Sequence, residues 1–304
     1  MGIKKSQELS ISSHTNNAKY NSNDETPIAS GGTEGTDDGH RYHKFTSSGT
    51  LTVQKSGIAE VFVLGGGGGA GGGVSGGGGA GAAILIKEYP LVVGSWTVTV
   101  GAGGAGGNGQ GNDGSNGGDS VLTNSTYTLT AKGGGFSGGS SVSTDRSSNS
   151  GGCGGGGSGY WSNHSGGDTT QTVETNDGVN TYEATGIACG GDPDWKHASR
   201  ASRTGAGGSC GLNNSDDCFK GNDFYWGDGQ PAKGLRLDLD GTYRWYGVGG
   251  NSAFETHGAQ DGAAGPGANA DANRGGGGGG KYSHSSGSDG GDGGSGVVIV
   301  RYKI

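Results

Sequence analysis

The sequence predicts an all-β fold with packed polyglycine-II helices: short strands frame a lattice of glycine helices, and a β/loop region is inserted into it. Three observations predict this. Glycine makes up 77 of the 304 residues and hydrophobic residues only 28%, too little apolar surface for an ordinary side-chain core to offset the entropy of ordering the chain. The apolar stretches are short and β-branched, and none keeps a helical period. The glycine is interleaved with those strands, as in LGGGGGAGGGVSGGGGAG (64–81), where 13 of 18 residues are Gly.

Residues 1–35 are polar and aperiodic and read as an N-terminal tether or attachment segment. No apolar stretch follows the lysines of MGIKKS, so release by a route other than secretion is expected. No apolar run approaches the roughly 18–20 residues of a membrane span, so no membrane insertion is expected. HRYHKFT (40–46) and TLTVQK (50–55), joined through SSG, are expected to pair as a hairpin. AEVFVL (59–64), AAILIKEY (82–89) and SWTVTV (95–100) follow; in the last, Trp96, Val98 and Val100 alternate with Thr97 and Thr99, the period of a half-buried strand. SVL (120–122), YTLTAK (127–132) and VVIVRYK (297–303) continue the pattern.

Glycine runs occupy 65–81, 101–118, 133–139, 151–159, 275–280 and 290–296. Collagen is excluded, because the every-third-residue phase through Gly101, Gly104 and Gly107 breaks at Gln110. Flexible linkers are not interleaved with core strands. In polyproline-II-type geometry, with about three residues per turn, backbone groups point outward and need partners. Packed side by side, such helices satisfy one another, and only glycine lets backbones approach that closely on every face.

YHKFTSSGTLTV, AEVFVLGGGGGAGGG, WTVTVGAGGAGGNGQGNDGSNGGDSVL, TLTAKGGGFSGG and GGSGVVIVRYKI, in that order, resemble the glycine-rich domain of bacteriophage tail-fibre and tail proteins. The resemblance covers about 40–140 and 260–304. It implies a virion protein of the tail fibre, extracellular after host lysis. It also implies a stacked glycine-helix core whose loops touch the host receptor, and no enzymatic activity. Its partners would be a host cell-surface glycan or an outer-membrane protein, with other tail or virion proteins bound through the N-terminus. Homo-oligomerisation stays open. The net charge of −8 argues against nucleic acid or an anionic membrane as partner.

The organisation expected is a tether (1–35), a glycine-rich β scaffold (36–140 and 260–304) and a divergent insert (141–259). The insert holds 11 of the 22 aromatic residues within 160–246, including four of the five Trp. Trp and Tyr stack on sugars and dominate interface energetics, so Trp161, Trp195, Tyr225, Trp226, Trp245 and Tyr246 are the candidate receptor-binding residues; the competing reading is that they form the core of a small β subdomain. LRLDLDGTYRWY is expected to form a hairpin with Leu235, Leu237 and Leu239 alternating and a type I′ turn at Asp240–Gly241. Cys153, Cys189, Cys210 and Cys218 match no common zinc spacing. Two states are open for them: two disulfides, most simply with Cys210–Cys218 as one, or reduced and buried thiols.

Other motifs carry little. GQGNDG (109–114) fits G-x-G-x-x-G, but roughly five such matches arise by chance at this glycine content, and no helix follows to receive a phosphate. G-x-S-x-G occurs around Ser75, Ser137 and Ser209 without the strand–turn–helix context a nucleophile needs. No H-E-x-x-H is present, so neither a catalytic nor a metal site is expected. GSNGGDSVL (114–122) is one residue from a calcium-binding β-roll repeat but lacks stacked copies, so it reads as a turn entering a strand; DGGDGG (289–294) leaves only loose Ca²⁺ binding, with no cofactor expected. The reading that results is a host-receptor-binding adhesin. The alternatives are a purely structural virion or filament protein and, third, an ice-binding protein.

Overall fold

A computed structural model describes residues 26–141, 146–158, 166–171, 174–178, 181–183, 187–188, 207, 210–211, 234–251, 264, 267–281 and 288–304. Among them the chain is all-β, with no helix. The strands in chain order are β1 (Ile28–Ser30), β2 (Thr33–Asp37), β3 (His40–Phe45), β4 (Gly49–Lys55), β5 (Gly57–Leu64), β6 (Ala83–Leu91), β7 (Gly94–Thr99), β8 (Ser120–Thr123) and β9 (Thr128–Ala131). Three short antiparallel pairs follow: β10 (Glu174–Asn176) with β11 (Thr181–Glu183), β12 (Ile187–Ala188) with β13 (Cys210–Gly211), and β14 (Leu235–Asp238) with β15 (Tyr243–Tyr246). β16 (Val297–Lys303) closes the chain.

Two five-stranded antiparallel sheets, ordered β1-β4-β7-β8-β9 and β2-β3-β16-β5-β6, pack face to face. Their shared core takes alternate residues from each: Leu51, Val53, Trp96, Val98, Leu122 and Leu129 from the first, Val61, Val63, Ile84, Ile86, Val298 and Val300 from the second. The second sheet also buries its other face, through Phe62, Leu64, Leu85, Val297 and Ile299. That difference is written in the sequence. TLTVQK and SWTVT alternate because one face is wet, whereas VFVL, AILI and VVIV run continuously apolar because both faces are covered.

The hairpin expected from HRYHKFT and TLTVQK does not form. β3 pairs with β2 and β16, while β4 pairs with β1 and β7, so residues 46–48 cross from one sheet to the other. Inward residues Phe45 and Leu51 thereby meet across the core instead of side by side. The β1–β2 link crosses in the same way, at Gly31 (φ +125°) and Gly32 (φ +67°), conformations that L side chains rarely adopt. These strands also place residues 28–35, the last part of the expected tether, within the two sheets.

The glycine runs stand on one end of this sandwich as continuations of its strands. β5 continues into rod 65–73 and β7 into 101–107; β9 continues into 133–140. Rods 77–82, 112–119 and 288–296 lead into β6, β8 and β16. Rod 65–73 is central, and its hydrogen bonds repeat every third residue. Gly65 and Gly68 donate to Ala82 and Gly79; Gly66, Gly69 and Gly72 to Gly118, Ser115 and Asn112; Gly67, Ala70 and Gly73 to Gly294, Gly291 and Ser288, all at 2.8–3.0 Å. Its carbonyls accept in the same period, from Gly104 and Gly107, from Gly134, Ser137 and Ser140, and from Gly278. Six rods thus surround a seventh. They also bond one another into a closed ring, for example Gly117 to Gly134, Ser115 to Ala105, Gly293 to Gly104, Gly294 to Gly276, Gly78 to Gly278 and Gly79 to Gly135.

Direction decides who donates to whom. The central rod donates to the three rods that run antiparallel to it and accepts from the three that run parallel. Within this lattice a β-carbon would overlap a neighbouring backbone carbonyl at most glycines, which is why the rods contain almost nothing else.

Two predictions follow from this packing. A β-carbon on Gly277 would overlap the carbonyl oxygen of Gly78, and the Gly277 N–H donates to Val248 at 2.9 Å. Gly277→Val should therefore cost about 3 kcal/mol or more in urea unfolding, whereas Ala105→Val, at an exposed rod position, should be nearly neutral; equal small effects would contradict a tightly packed lattice. The second concerns His43, fully buried, with Nδ1 3.0 Å from the Gly31 carbonyl and Nε2 3.1 Å from the Tyr302 hydroxyl, which accepts from Ala29 N–H. Nδ1–H donates to the carbonyl, so in the neutral ring Nε2 accepts from the Tyr302 hydroxyl. Burial holds the His43 pKa below its ordinary 6.5, against the raising effects of Gly31 and Glu34 and with a smaller lowering effect of Arg41. The unfolded chain then binds the proton first, so stability should fall as pH drops below 6.5, by at most about 1.4 kcal/mol per pH unit. Urea midpoints of wild type and His43→Gln between pH 7.5 and 5 test this, with a shallower slope expected for the variant.

Candidate recognition face

Hairpin β14–β15 lies on the second sheet, on the side away from the sandwich core. Leu235, Leu239 and Tyr246 are buried there with Phe62, Leu64 and Ile299, and the Tyr246 ring meets Phe62 edge-on at 5.1 Å. Leu235 and Leu239 follow the alternation expected from the sequence, Tyr246 is turned inward against expectation, and the turn differs. Asp238 pairs with Tyr243, so the loop is the four residues 239–242, not a two-residue type I′ turn. Gly241 has φ +82°, while Asp240 is not in the left-handed region. Two anchors account for the longer loop: Leu239 is drawn into the apolar cluster, and Asp240 into an ion cluster.

In that cluster the Asp240 carboxylate accepts from Lys44 Nζ of β3 at 2.7 Å and from the Arg244 guanidinium. Burial pushes the Asp240 carboxyl upward, but the bonds from Lys44 and Arg244 outweigh it and hold it below its ordinary value. Burial likewise opposes the Arg244 charge, and Asp240 overcomes it. The Tyr246 phenol is pushed up, by burial first and by Asp240 second. Arg301, paired with Glu60, donates to the Asp238 carbonyl at 3.0 Å. The hairpin is thus bolted down at both its apolar face and its loop.

Its opposite face carries Arg236, Asp238, Tyr243 and Trp245, with Arg236 across from Trp245 and Asp238 across from Tyr243. Tyr243 is 66% exposed, Arg236 is exposed, and Trp245 is half-buried. The Arg236 guanidinium sits 5.2 Å from the Tyr243 ring centroid, within cation–π range. Asp238 Oδ1 is buried and accepts no hydrogen bond from the described residues. Two rings and a cation therefore share one small surface on this support.

Of the six candidate aromatics, Trp245 lies on this face, and Tyr246 is turned inward as a core residue, 1% exposed. Trp161, Trp195, Tyr225 and Trp226 lie outside the described residues. Tyr243, Arg236 and Asp238 were missed; the strand alternation that buries Leu235 and Tyr246 also selects them, and was a usable signal. Cys153 is fully buried with Ala80 and Ala82, Cys210 pairs with Ala188 in β13, and Cys189 and Cys218 lie outside the described residues.

The acidic glycine stretches have a structural use. Asp113, Asn116 and Asp119, three apart, accept from the backbone N–H of Gly139, Phe136 and Gly133, which run the other way. Asp289 and Asp292 do the same for Gly109 and Gly106. GSNGGDSVL is thus a rod entering β8, not a turn, and its polar residues cap outward N–H groups at the lattice margin. Among the described residues no group of three or more His, Cys, Asp or Glu converges to hold a metal ion.

A search of curated proteins gives no match. The model of one family, described as a glycine-rich domain, matches residues 45–303. That span takes in both sheets from the end of β3 onward, every rod of the lattice and the hairpin with its recognition face, so the chain belongs to the glycine-rich domain family.

Proposed function

We propose that this chain is a bacteriophage tail-fibre or tail-tip protein that binds the host surface and catalyses no reaction. The observation that carries the reading is a rigid scaffold with an aromatic and charged face mounted on it: a lattice without side chains, and one hairpin fixed by apolar contacts and ion pairs. We read the rods, from their three-residue hydrogen-bond period, as polyglycine-II helices. A binding surface needs a few rigid anchors ringed by polar groups, and the outer face of β14–β15 has that composition.

The molecule has two ends, and they suit different tasks. At the end away from the lattice the chain enters at β1 and leaves after β16. Four exposed large apolar residues lie at this end: Ile28 at the start of β1, Ile58 at the start of β5, Val93 in the β6–β7 turn, and Ile304 after β16. We assign this end to attachment in the particle, with residues 1–25 leading to other tail proteins, and the hairpin side to the host. A purely structural role is the second reading. It is favoured by the outer rod that exposes Ala102, Ala105 and Asn108 at every third position, a regular ridge suited to packing against another lattice.

The test has two parts. Removing residues 1–25 should abolish incorporation into the particle, seen by antibody labelling in electron micrographs, and leave thermal unfolding nearly unchanged. Tyr243→Ala with Trp245→Ala should reduce binding to host cells at least tenfold while the circular dichroism stays that of the wild type. Normal binding by a folded double variant would favour the structural role.

A further inference from the structure

We infer that β1 and the crossover after it form an acid-sensitive strap: protonation of His43 releases residues 28–32 from the sandwich and frees the edge of β4, while the rest of the fold stays closed. The strap fastens the chain that leads into the sandwich, and its opening does not depend on what residues 1–25 attach to.

Apart from His43 and its neighbours, little holds the strap. β1 is three residues long, stands at the edge of the first sheet and pairs with β4 alone. Its register shifts between Ile28 and Ala29, so the pairing is irregular as well as short. Ala29 is its one buried apolar residue, while Ile28 is 47% exposed. The crossover adds only Gly31 and Gly32, which have no side chain to pack. A segment with so few contacts can open without the core.

The remaining fastenings are polar, and they meet at one imidazole. His43 of β3 holds the crossover through the Gly31 carbonyl, 3.0 Å from Nδ1, and meets the Tyr302 hydroxyl of β16, 3.1 Å from Nε2. The same hydroxyl accepts from the Ala29 N–H at 3.3 Å, and Glu34 of β2 accepts from the Gly31 N–H at 3.0 Å. Strap, β2, β3 and β16 are thus joined around a fully buried ring. The neutral ring donates once and accepts once, which is what its partners offer.

A second proton upsets this arrangement. Nε2–H would face the Tyr302 oxygen, which must then stop donating to the ring and accept beside Ala29. The charge would also lie out of water. Glu34 of β2, 3.8 Å away and 46% exposed, favours it; Arg41 of β3 opposes it; Tyr302 faces it from β16, and the strap itself carries no charged side chain. Burial outweighs the raising effects of Gly31 and Glu34 and keeps the His43 pKa below 6.5. Lifting the strap gives the ring to water yet leaves Glu34 beside it, because β2 keeps its pairing with β3 along its whole length. The open state therefore binds the proton first. Opening grows as pH falls below 6.5, by at most about tenfold per pH unit, until His43 is protonated in the closed state as well.

The experiment is amide hydrogen exchange on the full chain across the titration range of His43, expressed as protection factors to remove the intrinsic pH dependence, with and without sub-denaturing urea. Protection of residues 29–32 is expected to lie below that of β5 and β16 and to fall by up to about tenfold per pH unit in acid. It should not respond to urea, since a local opening exposes little surface. His43→Gln removes the titrating group and should flatten the pH dependence. If that variant does not fold, the imidazole NMR signals of His43 in the wild-type chain take its place, with a pKa below 6.5 expected. Protection of residues 29–32 that matches the core in size and urea response means that the strap opens only with the whole fold, and overturns the inference. Local opening without pH dependence overturns it too, as does a pH dependence that survives His43→Gln. So does a His43 that titrates at 6.5 or above in the folded chain.

Discussion

The structure depends on one constraint: in the lattice every buried backbone N–H and C=O must find its partner on another rod. A helix or a sheet satisfies these groups within itself or with two neighbours. The central rod here bonds six, because successive residues present their groups about a third of a turn apart. Each bond contributes modestly on its own, but a buried group left without one costs more than the bond contributes. The same closeness excludes side chains: a β-carbon at Gly66, Gly69 or Gly72 would overlap the carbonyl of Ala102, Ala105 or Gly109. Glycine is therefore a requirement of the bonding pattern, and the entropy lost in ordering it is met by the collective satisfaction of the backbone.

The margins of the lattice are where side chains become useful. Interior N–H groups meet carbonyls, but outward ones would meet only solvent or nothing. The three-residue spacing of Asp113, Asn116 and Asp119 matches the three-residue period of Gly139, Phe136 and Gly133, so a row of short acceptors closes one edge of a rod. Lys132 and Arg146 then pair with Asp119 and Asp113, which spreads the charge of that row. Carboxylates that read as acidic loops in the sequence are in this way components of the backbone hydrogen-bond system.

Much of this was legible in the sequence, and the losses have physical reasons. The strands were visible because alternation and β-branching report burial directly. The interleaving of glycine with strands pointed to packed backbones. What failed was pairing. Proximity in sequence suggested that 40–46 and 50–55 form a hairpin, yet the chain changes sheets at 46–48, and Phe45 and Leu51 line the one shared core from different sheets. The Asp-Gly turn failed for a similar reason: Lys44 and Arg244 hold Asp240 in a position the local turn code does not know about. At the candidate face, composition drew attention to the segment that holds Trp245, but it could not separate Tyr246 from Tyr243. Only the face of the strand distinguishes a ring in the core from a ring in solvent.

The sandwich and the lattice are a single design, because the first sets the polarity of the second. Adjacent strands in each sheet are antiparallel, so the rods that continue them alternate in direction. The order β7-β8-β9 becomes 101–107, 112–118 and 133–140, and the order β16-β5-β6 becomes 288–296, 65–73 and 77–82. A rod that donates to antiparallel neighbours and accepts from parallel ones needs both kinds around it, and two antiparallel sheets deliver five of the six. The sixth rod, 275–280, follows no strand and arrives only after the long segment that begins at 141. That segment is itself tied to the lattice: Cys153 and Gly156 donate to Ala80 and Gly77, Gly135 donates to Cys153, and Gly250 donates to Gly78. Between those tied stretches, after Gly156 and before Val248, the chain carries the hairpin with its aromatic face.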